Sequence, residues 1–172
     1  MVLEYHPFGN FIPPEVKFLV VGTFPGRQYS QRSLEENEAD ESAFSYGGRN
    51  QFWRIMEKNY AVDLPNRAAK KQLFEAMNIG LIDLIHACNR KKQSNLDTDL
   101  TDIVWNKPQL DCVFKENNIE MTFCTGKGVA KIFQNWYPDK AFIALPSPSP
   151  LYAVMRFEEK LMFYKNVFPE KK

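Results

Sequence analysis

Four short apolar runs punctuate the chain at separations too long for hairpins. The first, Val16–Thr23, reads Val-Lys-Phe-Leu-Val-Val-Gly-Thr and lies between Pro13-Pro14 and Phe24-Pro25-Gly26. Its apolar residues are consecutive rather than alternating, the pattern of a strand covered on both faces. Similar runs occur at Ile79–Ile85, Ile119–Cys124 and Ala141–Leu145. Between them the apolar spacing is helical. Phe52, Trp53 and Met56 form a stripe over Asn50–Asn59, and Ala68, Leu73, Phe74 and Met77 form another over Pro65–Met77, with proline in the first turn. Pro108–Asn117, Gly128–Trp136 and Ala153–Val167 complete the expected helices. Strands alternating with helices predict an α/β fold, a three-layer α/β/α sandwich around a mainly parallel four-stranded sheet. No internal repeat or domain-scale linker interrupts residues 1–172, which are expected to form one domain.

In a parallel sheet the carboxyl ends of the strands share one edge, where ligands gather. Four segments are thereby expected to converge: Gly22-Thr23-Phe24-Pro25-Gly26, His86–Lys92 read as a loop, Thr125-Gly126-Lys127-Gly128, and Pro146-Ser147-Pro148-Ser149-Pro150. A chain of 172 residues buries about 70% of its unfolded surface. It therefore needs neither disulfide nor metal. With 22 Lys and Arg against 21 Asp and Glu, the net charge is +1, which excludes coating nucleic acid by bulk charge but permits a local basic groove. Three cysteines without a C-x-x-C favour a reduced protein, and Met1–Pro7 lacks the features of a secretion leader. No apolar run is long enough for a membrane span. A cytoplasmic monomer is expected.

Gly22–Gly26 is a rigid turn with room for close backbone approach. Phe44-Ser45-Tyr46-Gly47-Gly48-Arg49-Asn50-Gln51-Phe52-Trp53 sets two aromatics before a flexible pair and then Arg49 and Asn50 where a helix begins, so Asn50 serves either as a cap or as a functional amide. The three prolines of Leu145–Pro150 stiffen a loop whose hydroxyls and amides can face a phosphate backbone, or simply lead into the last helix. Thr125–Gly128 opens a helix and offers amides to one phosphate. It matches neither a Walker A loop nor a dinucleotide fingerprint, so no nucleotide cofactor is expected. The dispersed His86, Cys88, Cys112 and Cys124 suggest no metal site. Glu35, Glu36, Glu38, Asp40 and Glu41 read as a solvated, mobile loop that would repel a polyanion.

Taken in order, these motifs resemble the uracil-DNA glycosylase superfamily over nearly the whole chain. The resemblance rests on Gly22-Thr23-Phe24-Pro25-Gly26, Asn50-Gln51-Phe52-Trp53, the strand Gly80-Leu81-Ile82-Asp83 and the loop Leu145–Pro150. Thr23 and Phe24 stand where uracil-specific branches carry Asp or Asn, and Leu145 stands where the most active branch has His. The nearest match is the hypoxanthine-DNA glycosylase branch, which relies on the Asn of Arg-Asn-x-Phe-Trp, although Gly47-Gly48 replaces its His-Pro.

The resemblance implies base flipping followed by hydrolysis of the N-glycosidic bond in double-stranded DNA carrying a damaged or mismatched base. Asn50 would be catalytic, orienting the base or the attacking water. Thr23, Phe24, Pro25, Phe44 and Tyr46 would hold the base. Arg49, Gly126, Lys127, Gly128, Ser147 and Ser149 would bind DNA, with Leu151 filling the gap left by the base. Two other functions remain open at this level: a lesion or nucleobase binder of the same fold with a weak or inactive site, and an enzyme of a small phosphorylated metabolite.

Overall fold

A computed structural model describes residues 3–171. Met1, Val2 and Lys172, at the ends of the expected 1–172 unit and in part of the segment read for a leader, lie outside the described residues. The expected α/β architecture is present. Strands β2 (Phe18–Gly22), β3 (Ile79–Asp83), β6 (Met121–Cys124) and β7 (Phe142–Ala144) form a parallel sheet in the order β3-β2-β6-β7. The register pairs Gly22 with Asp83 and Val21 with Cys124, so the strand ends lie level.

The pleat explains why these runs are continuously apolar. Val20, Leu81 and Phe123 face one layer of helices, α3 (Phe52–Tyr60), α4 (Arg67–Ala76) and α7 (Phe157–Val167), through Phe52, Phe74 and Tyr164. Leu19, Val21, Ile82 and Cys124 face the other layer, α5 (Lys107–Glu116) and α6 (Lys127–Trp136), through Leu110, Val113 and Phe133. A fully buried side chain of this kind contributes about 1.5–3 kcal/mol relative to exposure. Burial on both faces is what offsets the ordering entropy of strands only three to five residues long.

Several boundaries and one loop differ from expectation. Pro65 precedes α4 rather than sitting in its first turn, because the Asn66 side chain accepts from the Ala69 amide and starts the helix there. Helix α7 begins at Phe157, four residues later than expected, where Glu159 reaches back to the Arg156 amide. The acidic stretch is not a mobile loop. Leu34–Ala39 forms helix α2, started by Ser33 and Glu36 in a reciprocal capping box and preceded by the short α1 (Arg27–Ser30). The capping box satisfies two amides that charge composition alone does not reveal.

Most of the segment His86–Lys92 is also not a loop, only Lys91 and Lys92 lying beyond the strand. The chain bends at Leu84 and runs on as β4 (Ile85–Arg90), antiparallel to both β1 (Glu4–Tyr5) and β5 (Leu100–Trp105). Its pairing shifts register twice. Such bulges break the strict alternation by which a half-buried strand is recognised. No helix among the described residues is long and apolar enough to cross a membrane.

Candidate functional site

The turn after β2 begins at Gly22, whose Cα faces the Tyr46 hydroxyl and the Asp83 carboxylate so closely that a methyl there would collide with both. Main-chain bonds from Leu84 to Gly22 and from Ile85 to Thr23 hold the turn against β4. Pro25 is buried, and its carbonyl accepts from Arg90. The Phe24 ring meets His6 edge-on at 5.9 Å, and the Arg90 guanidinium lies 5.7 Å from its centre. Arg90 is therefore no surface cation. Its side chain is 4% exposed, and it bonds Glu4, Ser94 and Pro25 at once.

Asp83 is fixed from two directions. His6 Nδ1 accepts from the Phe8 and Gly9 amides, which places the ring proton on Nε2, and that nitrogen donates to Asp83 Oδ2 at 2.9 Å. Asn106 holds the Asp83 carbonyl. Oδ1 is buried without a hydrogen-bond partner among the described residues.

The aromatic segment divides in two. Phe44 is 3% exposed, stacked on Trp53 at 5.7 Å and edge-on to Phe11 at 5.9 Å. Its ring belongs to the core, and the expected stacking face for a base is already covered. Tyr46 behaves differently. It adopts a left-handed φ of 35°, as does Ser45 at 41°, which extends its phenol over Phe52 towards Gly22. The Thr125 hydroxyl donates to the Val21 carbonyl, so Tyr46 donates to Thr125 across a long 3.4 Å. Burial, with the Asp83 charge, pushes the phenol well above its ordinary pKa and keeps it neutral. Tyr46 thus fills the space in front of Gly22.

Gly47-Gly48 has a packing reason. Any Cβ at Gly47 would strike the Tyr29 phenol, and Gly48 has a left-handed φ of 64°. Asn50 is partly buried and its Oδ1 accepts from the Phe52 amide at 2.9 Å, while Arg49 is exposed. The next residue ties this segment to the proline loop through a bond from the Gln51 amide to the Pro148 carbonyl at 2.8 Å. Buried Lys160 reinforces the junction by donating to both Gln51 Oε1 and the Ser149 carbonyl, and Tyr164 donates to the Pro146 carbonyl.

Beside this junction opens a cleft of about 420 Å³. Thr125, Gly126, Lys127 and Gly128 form one wall, with Gly126 at φ 131° starting α6; its own amide, expected to meet a phosphate, donates instead to the Cys124 carbonyl. Leu145, Pro146, Ser147 and Tyr152 form another. Ser149 lies just behind, its hydroxyl accepting from the Leu151 amide. Leu151 and Val154 stand at 65% and 82% exposure on the segment that leaves the cleft.

The sequence does not single out the acidic residue that lines the cleft. Asp97 enters from the short 3₁₀ turn Asp97–Asp99 before β5, and its Oδ2 accepts from Thr23 Oγ1 at 2.8 Å across 74 residues of sequence. Crowding by surrounding protein raises its pKa, the Thr23 bond lowers it, and the Asp83 charge raises it further. Seven of the nine residues in Gln93–Thr101 are polar, and nothing local marks out Asp97.

The model for the uracil DNA glycosylase superfamily matches residues 9–168. The chain belongs to this superfamily. A solution NMR structure from Methanosarcina acetivorans, of a candidate uracil DNA glycosylase, is similar at a TM-score of 0.64 with 14% identity, covering 97% of each chain. At that identity the likeness speaks for the fold. No curated protein matches the chain. Within the superfamily frame, the strand ends bring Thr23, Asp97, Thr125–Gly128 and Ser147 to one edge, while Phe44, Phe24 and Pro25 pack inward.

Proposed function

We propose that this protein is a monofunctional DNA N-glycosylase that removes a deaminated base, hypoxanthine or uracil, from double-stranded DNA. It acts as a monomer and without a cofactor. The observation that carries this reading is the cleft, which joins the amino end of α6 to the stiff loop Leu145–Pro150 at the strand edge of a superfamily fold. The Lys127 and Gly128 amides beside Gly126, with the Lys127 side chain, Ser147 and Ser149, offer phosphate contacts on two sides. Arg49 adds an exposed cation two residues before Gln51, which bonds the proline loop, and exposed Leu151 suits a wedge into the stack. Flipping costs a few kcal/mol, least for a mispaired base. The flipped base would displace the Tyr46 phenol, meet the main chain around Thr23 and Phe24, and be oriented by Asn50.

Two duplexes test this, each with one deoxyinosine or deoxyuridine, incubated with protein and then cleaved by alkali at abasic sites. Cleavage at the lesion is expected. Asn50→Ala should lose about 100-fold or more in turnover, with duplex affinity nearly unchanged. It also removes a helix cap, at about 0.5–2 kcal/mol. Asn50→Ser keeps a capping oxygen, so full activity in that variant would reduce Asn50 to a cap.

A second reading keeps the fold as a lesion or nucleobase binder without effective chemistry. Tyr46, filling the space before Gly22, is the observation in its favour. Salt-sensitive duplex binding without product on any deaminated base would support it. Loss of both binding and product would leave the phosphorylated-metabolite reading.

A further inference from the structure

A glycosidic bond breaks through a sugar that gains positive charge at C1′ while water approaches, and both events favour a nearby carboxylate. The turn after β2 carries Thr23 rather than an acid, and the Asn50 amide is a poor proton acceptor. Among the described residues that line the 420 Å³ cleft, Asp97 is the one carboxylate and Lys127 the one cation. Asp97 Oδ2 is held by Thr23, and Oδ1 makes no hydrogen bond among the described residues, on an exposed residue that lines the cleft. The tertiary fold thus delivers an acid to the very turn that lacks one in sequence.

We propose that Asp97 is a catalytic residue, the base that takes the proton of the water attacking C1′. This rests on the glycosylase reading. Water oxygen bonds C1′ as the C1′–N bond breaks, and the bonding pair leaves with the base nitrogen. Asp97 accepts the water proton and returns it through solvent to the released base, so one water is consumed and the carboxylate is restored. Its negative charge also stabilises the sugar cation as it develops. The groups facing Asp97 are the Asp83 carboxylate at the end of β3, Cys88 and the Arg90 guanidinium on β4, and Lys127 across the cleft. The upward shift of Asp97, caused first by the surrounding protein, makes it a better proton acceptor than an ordinary aspartate.

The competing role is a latch that merely holds the 3₁₀ turn to Thr23. Two substitutions separate them. Asp97→Asn keeps an oxygen for the Thr23 hydroxyl but removes charge and basicity. Thr23→Val breaks the latch and leaves the carboxylate. Single-turnover rates on deoxyinosine and deoxyuridine duplexes, measured from pH 4 to 9, should fall by about 100-fold or more for Asp97→Asn. Its acid limb should vanish, with thermal midpoint and duplex affinity kept. Thr23→Val alters the turn that meets the base, so its rate falls too, but its acid limb should persist and move to higher pH, because the bond that lowers Asp97 is gone. A wild-type rate and profile in Asp97→Asn, or loss of the acid limb in Thr23→Val, would overturn the catalytic role. Inactivity of the wild type on every deaminated base would instead overturn the glycosylase reading, and this proposal with it.

Discussion

Arg90→Met is expected to cost about 3–5 kcal/mol at neutral pH, the range for breaking a buried pair from one side. The guanidinium has 4% exposure and the Glu4 carboxylate 10%, so the substitution leaves a buried charge without its partner. Bonds to Pro25 and Ser94 are lost as well, which frees the turn at Thr23 and the segment carrying Asp97. Burial alone would raise the pKa of Glu4, but bonds from Gln31, Ser30 and Arg90 outweigh it and hold it below the ordinary value. In the wild type, therefore, Glu4 contributes stability above the ordinary glutamate range, near pH 4.3, and that contribution is lost as pH falls through the lowered value. Without Arg90 the burial effect is less opposed. The deficit of the variant should be largest at pH 7 and smaller at acid pH, once Glu4 takes up a proton below its lowered value. Urea unfolding at both pH values measures this. A deficit under about 1 kcal/mol at pH 7, typical of an exposed pair, would show that the bridge does not hold the turn.

Phe44→Ala should be comparably severe, at about 3–5 kcal/mol, or a drop in thermal midpoint on the order of 10 °C for a chain of this size. The ring is packed by Trp53 on one side and Phe11 on another, and Trp53 Nε1 donates to the Phe44 carbonyl at 2.8 Å. Neighbours bonded this way cannot collapse into the void. Phe44→Leu retains most of the volume and should be much milder. It also decides between core and base-holding roles. If Phe44 serves the core, the Leu variant keeps near-normal turnover on a lesion duplex when folded. If it stacks on the base, turnover falls while the thermal midpoint stays close to wild type.

These two residues mark where local sequence information stops. Phe44 and Tyr46 are two positions apart beside the same glycines, yet one ring enters the core and the other turns to Gly22. The left-handed backbone at Ser45 and Tyr46 makes that division, and neither residue type announces such a conformation. Arg90 adjoins Lys91 and Lys92 and reads with them as surface charge. Burial against Glu4 depends on β1 pairing with β4, a contact between residues 86 positions apart.

The sequence by itself determined the α/β class, the four parallel strands, their order relative to the helices, and which strand ends would share an edge. Those properties follow from runs of apolar residues that only burial on two faces can satisfy, and from short-range turn and capping chemistry. The first turn, the start of α6 and the proline loop were legible for the same reason. The tertiary structure alone decided what stands within that edge: Asp97 on Thr23, the Tyr46 phenol before Gly22, and Asp83 held by His6 with one oxygen unpaired. They join residues 74 positions apart for Asp97 and Thr23, 77 for Asp83 and His6, and 24 for Tyr46 and Gly22, across loops whose closure depends on the packed sheet rather than on neighbouring side chains.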